Sequence, residues 1–260
     1  MIDYSFSVSN LEFFLLIVVR IASFVYVAPF FSQKGIPNQV KIGFSIFFAA
    51  LLYGVIPDKT IPVYSTIWGY AVLVLREALV GLLLGFAAVI CTSVVLFAGR
   101  IIDMETGLSM ANLVDPTTNT SESMTGVMFQ YVITLMLILT GMYEYIIRAV
   151  AEAYELIPVG RAVFDSDRLL ASIIQFLSDY MSIGFRICLP VFAVMIILNA
   201  VLGIMTKVAP QVNMFAVGMQ MKVLVGIVTL FLMVGMMPII SDMVFTEVRK
   251  MMATFVQTMM

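Results

Sequence analysis

The sequence predicts an all-α fold of about six hydrophobic helical segments, several of them overlong or kinked, held in a membrane or in a membrane-bound assembly. Three observations predict it. Of 260 residues, 62% are hydrophobic and only 12% charged, about half the roughly 25% charged share of soluble domains. The chain has too few polar side chains to coat a water-soluble exterior, so lipid or partner proteins must cover it. The hydrophobic residues also fall in runs of about 20 or more, the length a helix needs to cross a ~30 Å hydrocarbon layer. Finally, Pro, Gly, Asn and Asp gather in the short breaks between those runs, where they end helices.

Taken in order, the first apolar run covers 11–31 and stops near Pro29, and Gly35, Pro37 and Asn38 turn the chain into a second run over 40–56. These two are expected to form a helical hairpin. The linker 57–62 carries Pro57, Asp58, Lys59 and Pro62, and a third run follows over 65–98. At about 1.5 Å per residue that run is roughly 50 Å long, more than a bilayer core, and implies tilt, a break or an assembly reaching beyond lipid. Residues 99–125 are rich in Thr, Ser, Asn and Asp around Asp115-Pro116 and read as a loop. A fourth run covers 127–147. It passes into an amphipathic stretch with Glu144, Arg148, Glu152, Glu155 and Arg161, in which Glu144 and Arg148 stand four apart and can share a helix face. The fifth run, 169–205, contains Pro190, which lacks a backbone donor and should kink it. After a polar break at 207–213 around Lys207 and Pro210, the sixth run covers 215–244 with Gly218, Gly226, Gly235 and Pro238. There is no internal repeat. Lys and Arg are spread over alternate connections without a clear bias, so the positive-inside rule gives no topology. The start of the chain has Asp3 and no Lys or Arg before residue 11, unlike a cleavable signal peptide.

Composition also excludes several function classes. Histidine is absent and the net charge is −2, which removes His-based triads, HExxH metal sites and an electrostatic footprint for nucleic acid. Cys91 and Cys188 each sit in an apolar run without a second ligand, so neither a zinc site nor a disulfide framework is indicated. No carboxylate pair, activated nucleophile or phosphate-binding glycine loop appears, so the chain is read as a non-enzyme without a cofactor.

The informative residues are ionisable groups inside apolar runs, each costing several kcal/mol at mid-bilayer unless paired or hydrated. They are Arg20, Arg76 with Glu77, Arg186 and Lys222; a polar pathway, an inter-helix contact, snorkelling and structural pairing all remain open for them. Arg76 and Glu77 are adjacent and point about 100° apart on a helix, so adjacency alone does not pair them. Gly81-Leu-Leu-Leu-Gly85 has the small-xxx-small spacing that lets two helices approach closely. Met110 stands out among the 21 methionines, because with Leu108 and Leu113 it places apolar side chains inside the polar central stretch.

Four stretches resemble the FliR family and its injectisome counterpart. They are Arg20-Ile21-Ala22 through Pro29-Phe30-Phe31-Ser32 to Ile36-Pro37 and Lys41; Ala98-Gly99-Arg100-Ile101-Ile102-Asp103 with Gly107-Leu108-Ser109-Met110-Ala111-Asn112-Leu113-Val114-Asp115-Pro116; Arg186-Ile187-Cys188-Leu189-Pro190; and, most specifically, 202–213 ending Lys207-Val208-Ala209-Pro210-Gln211-Val212-Asn213, with Gly218 and Lys222 beyond. Arg100 stands where the family pattern has Gln, and no proline follows Gly218. The resemblance implies a single export-gate domain over 1–260. It implies a subunit assembled with FliP and FliQ homologues, and associated with an FlhB homologue, in the bacterial inner membrane at the flagellar basal body. There it would form part of the wall of a channel for unfolded flagellar subunits. It further implies that the central loop is a pore plug, with Leu108, Met110 and Leu113 as seal residues. An apolar constriction suits that role, because it dewets and blocks ions yet stays soft enough to open for a peptide. Two readings of other classes stand beside this one. A polytopic small-molecule transporter would place a substrate site at a broken helix, and an assembly scaffold would have no pore.

Overall fold

The computed structural model describes residues 8–29, 31, 35–56, 60–62, 64, 66–110, 123–209, 211 and 213–260, and the side chains of all of these except 90–92, 214 and 215. Eight helices make up the described fold: α1 (Val8–Val27), α2 (Asn38–Val55), α3 (Ile67–Thr106), α4 (Met124–Leu139), α5 (Met142–Leu156), α6 (Ser166–Val208), α7 (Met214–Val234) and α8 (Met237–Thr258). No strand occurs among the described residues. Five of the helices, α1, α2, α3, α6 and α7, are long and apolar enough to cross a membrane, or six if α4 and α5 are taken as one broken span. The all-α hydrophobic fold is as expected. The expected overlength is exceeded, since α3 has 40 residues and α6 has 43, or about 60 and 65 Å at 1.5 Å per residue.

Three boundaries differ from the sequence reading, each for a local reason. The polar stretch 99–125 is not loop from its start, because α3 continues to Thr106. Its last two turns bury Ala98, Ile102, Asp103 and Thr106, and one buried face sustains the helix despite polar residues on the other. The terminator is Gly107, whose φ of 81° lies in the left-handed region that glycine enters without steric cost. The fourth run divides at Thr140-Gly141, where Gly141 takes a φ of 69°, and the amphipathic stretch becomes α5. The sixth run divides at Gly235-Met236. Pro238 falls in the first turn of α8, where its missing N–H is not needed, and α8 runs on to Thr258 with a buried stripe of Ile240, Val244, Val248, Met251, Met252 and Phe255. Pro190 lies inside α6. It leaves the Arg186 carbonyl without its usual i+4 donor, but α6 does not end there.

The chain folds as two compact units. The first comprises Met1–Ile90, Gly141–Phe176 and Glu247–Met260. Its core is the α1 stripe Phe13, Leu16, Ile17, Ile21 and Phe24 with Val80, Leu84, Ala87 and Ala88 of α3 and Ile146, Val150 and Ala153 of α5. The expected α1–α2 hairpin is present, with the Tyr53 ring of α2 6.2 Å from Phe13 and 6.1 Å from Phe14. At the other end of the chain, the Val163 N–H donates to the Met259 carbonyl at 3.1 Å.

The second unit comprises Cys91–Thr140 and Leu177–Thr246. Phe129, Ile133 and Leu137 of α4, spaced by four, form its buried seam with Val94, Val95, Ala98 and Ile102 of α3 and Ile187, Val191 and Met195 of α6. Much of the remaining apolar surface is exposed. On α6 it includes Phe185, Leu189, Ile196 and Ile197, and on α7 Leu224, Phe231 and Leu232.

Candidate functional site

In the first unit, two of the ionisable residues singled out above meet. Arg20 of α1 and Glu77 of α3, both 0% exposed, form a two-pronged ion pair, Nε to Oε2 at 2.5 Å and Nη2 to Oε1 at 3.0 Å. The rest of each head group is also satisfied. Arg20 Nη1 donates to the Ile157 carbonyl at 3.0 Å, and the Gly160 N–H donates to Glu77 Oε1 at 2.7 Å. The Tyr154 ring lies 4.2 Å from the guanidinium carbon, a cation–π contact. Its hydroxyl donates to the Ile17 carbonyl at 3.3 Å. Every arm of this network ends on another element, so it ties α1, α3, the end of α5 and the 157–160 turn together.

Small residues make that geometry reachable. Glu77, Gly81 and Gly85 recur every four residues along α3 and face α1. A Cβ at Gly81 would lie 2.1 Å from the Arg20 carbonyl oxygen, and one at Gly85 would lie 3.0 Å from the Phe24 carbonyl oxygen. The small-xxx-small segment therefore packs as expected, and its close approach brings Arg20 within reach of Glu77. Gly160 is fixed for two reasons: its φ is 77°, and a Cβ there would lie 2.9 Å from Pro62 Cδ. Arg76, next to Glu77, is exposed on α3 and takes no part. Outside the helices, the Tyr64 phenol is held above its ordinary value of 10.0 chiefly by its hydrogen bond to the Glu12 carboxylate.

In the second unit, the two ends of the central stretch are clamped to each other. Asp103, 3% exposed on the last turn of α3, accepts from the Ser123 hydroxyl at 2.6 Å and from the Thr125 N–H at 3.3 Å. Ser123 in turn caps α4 by accepting from the Gly126 N–H at 2.9 Å. Gly99 permits the approach, because a Cβ there would lie 2.2 Å from the Gly126 Cα. In the sequence Asp103 stands within the central motif, and its local pattern does not reveal this role. The signal lies in an Asp and a Ser, 20 positions apart, flanking the polar stretch.

Of the residues expected from the sequence to form a seal, Leu108 is half-buried just past Gly107 and Met110 is 49% exposed. Leu113, Asp115 and Pro116 lie outside the described residues, as does Pro210. Arg186 and Lys207 are exposed on α6, Lys222 is half-buried on α7, and Pro190 is half-buried within α6. Pro29 follows the end of α1, and Pro37 occupies the cap position of α2 with φ −61° and ψ 143°. The structure therefore joins Arg20 with Glu77 and leaves Arg76 out of the pair, while Arg186, Lys207 and Lys222 belong to the second unit. Among the described residues no group of three or more Cys, Asp or Glu side chains could hold a metal ion.

Apolar helices with much exposed apolar surface, and a packed polar clamp within each unit, describe a membrane-embedded protein. Residues 11–248 match the family model of bacterial export proteins, family 1, and the chain belongs to that family. Relatives span nearly the full length. The flagellar biosynthetic protein FliR of Bacillus subtilis (strain 168) is 29% identical over 95% of this chain and 92% of its own. That of Escherichia coli (strain K12) is 26% identical over 95% and 93%, and that of Aquifex aeolicus (strain VF5) is 28% identical over 94% and 93%.

Proposed function

We propose that this chain is a non-enzymatic subunit of the flagellar type III protein export gate in the bacterial inner membrane. Its helices contribute to the wall of the channel for unfolded flagellar subunits, and the segment after Gly107 forms part of the plug. The observation that carries the reading is membership of the bacterial export family over 11–248, with relatives named flagellar biosynthetic protein FliR covering almost the whole chain. Homologues of FliP and FliQ in the gate, and an FlhB homologue beside it, are the partners this reading names.

Two physical features support it. The exposed apolar faces of α6 and α7 suit a subunit surrounded by other hydrophobic helices. Leu108 and Met110, placed directly beyond the α3 terminator, suit an apolar seal whose base is held by Asp103 and Ser123. The test has two arms. Purification of the tagged chain from its native membrane in mild detergent should recover a stable complex with FliP and FliQ homologues in fixed mass ratio. A clean monomer that binds a small solute would sink the reading and promote the transporter. Deletion of 107–115 should raise the ion conductance of the assembled gate, and wild-type conductance in that variant would remove the seal role.

A further inference from the structure

Next to the buried ion pair of the first unit, a cavity of about 380 Å³ opens between the C-terminal ends of α2 and α5. Leu52, Val55, Ile56, Tyr154, Pro158 and Val159 give it an apolar lining. Val55 is 75% exposed at its mouth while Leu52 is buried at its base. The site is built rather than incidental. The Tyr154 ring is held against Arg20, and both ends of the 157–160 turn are fixed by the Arg20–Glu77 pair, so the floor cannot collapse to fill the space.

The rim adds a sign of charge. Glu152 and Glu155, three apart and therefore neighbours on α5, border the same cavity and are exposed. Among the described residues neither carboxylate has a hydrogen-bond or ion-pair partner. An apolar slot beside two exposed carboxylates is complementary to one kind of occupant. It suits a large apolar side chain flanked by a cation, with the cation stem lying along the apolar wall.

We propose that this groove docks an apolar helix of another subunit of the export assembly, a helix that carries a Lys or Arg within one turn of the side chain it inserts. The inference rests on the reading of the chain as one subunit of a multi-protein gate and adds the chemistry of one contact. The expected role of the carboxylates is to set which segment binds and in what register, since rim charges select partners more than they hold them.

The test replaces Val55 with photoreactive benzoylphenylalanine in the full-length chain, expressed in its own host in place of the wild type. Irradiation is followed by purification of the complex and peptide mapping of the adduct. The expected adduct joins an apolar segment of another subunit with a Lys or Arg within one turn of the attachment point. Its yield should fall by roughly fivefold or more in the Glu152→Gln/Glu155→Gln variant, the loss expected for about 1 kcal/mol of surface ion pairing. Glu152→Lys/Glu155→Lys combined with Glu at the partner's basic position should restore it. An adduct to lipid alone, an adduct to a segment without a basic residue, or a smaller loss of yield would overturn the proposal. The composition of the same purified sample separates the two levels. An intact complex with an unchanged adduct removes only the groove, whereas a chain that co-purifies with nothing removes the groove and the gate reading together.

Discussion

At the scale of single residues, the Arg20–Glu77 pair decides the most. A fully buried ion pair contributes little beyond what a well-packed apolar pair would, but losing one partner strands a charge where no water can reach it. Arg20→Met or Glu77→Leu alone should therefore cost about 3–5 kcal/mol, read as a large drop in the melting temperature of the purified protein and in its level in the membrane. The Arg20→Met/Glu77→Leu double variant should recover much of that loss. If the double variant were as unstable as the sum of the single variants, the pair would not be coupled as the geometry requires. Gly81 offers a second residue-scale test, because a methyl group at 2.1 Å from the Arg20 carbonyl oxygen meets backbone that cannot swing aside. Gly81→Ala should destabilise by at least about 1–3 kcal/mol, the usual cost of overpacking. Gly85→Ala, with 3.0 Å to the Phe24 carbonyl oxygen, should cost less, and the reverse order would contradict the packing. Arg20, Glu77 and the Gly81/Gly85 spacing were all legible in the sequence as costly or unusual residues. Their meeting was not, because pairing residues 57 positions apart depends on the relative register of two helices, and no local pattern encodes that.

At the scale of elements, helix existence was legible and several helix ends were not. Apolar runs marked five of the spans because lipid or protein burial demands them, whatever the turns between. Gly99 looked like the start of a loop, yet it serves close packing against Gly126, and the helix passes through it to Gly107. A glycine needed for approach and a glycine needed for positive φ are the same letter in a sequence, and only the neighbours distinguish them. α8 was missed beyond residue 244 because Asp242, Glu247, Arg249 and Lys250 break the apolar run while leaving one apolar face intact. The α3 terminus yields a prediction at this scale. Gly107→Ala would force a side chain into the left-handed region at a cost of about 1–2 kcal/mol. Asp103→Ala would leave the buried Ser123 hydroxyl and Thr125 N–H without their acceptor, a loss of about 1–3 kcal/mol. Both should lower the melting temperature of the assembled complex. Asp103→Ala should also increase hydrogen exchange at the first turn of α4, whereas unchanged exchange there would show that the clamp is not what holds α4 in place.

At the scale of the whole molecule, the lengths of α3 and α6 set the environment the chain requires. About 60–65 Å of helix cannot fit inside a ~30 Å hydrocarbon layer without a tilt far beyond the 0–40° seen in transmembrane helices. Part of each helix therefore stands outside lipid. On α6, exposed apolar side chains nevertheless continue from Leu177 through Met181, Phe185, Leu189, Ile196 and Val201 to Val208, which is about 46 Å along the helix axis. Lipid covers about two-thirds of that stretch if α6 stands upright and about 85% of it at a 40° tilt, and an apolar remainder facing water would be an aggregation liability, so protein must cover it. Single cysteines at Leu177, Phe185, Ile196, Val201 and Val208 should show this directly. In the isolated chain in nanodiscs, one end of the series should react with a membrane-impermeant maleimide, and in the purified complex that same end should be protected. If every position were shielded by lipid in the isolated chain, α6 would lie within the bilayer after all, and its length would carry no argument for an assembly. If the exposed end stayed reactive in the complex, the partner would be absent from that face, and the apolar stripe would have to be covered by the translocating chain itself.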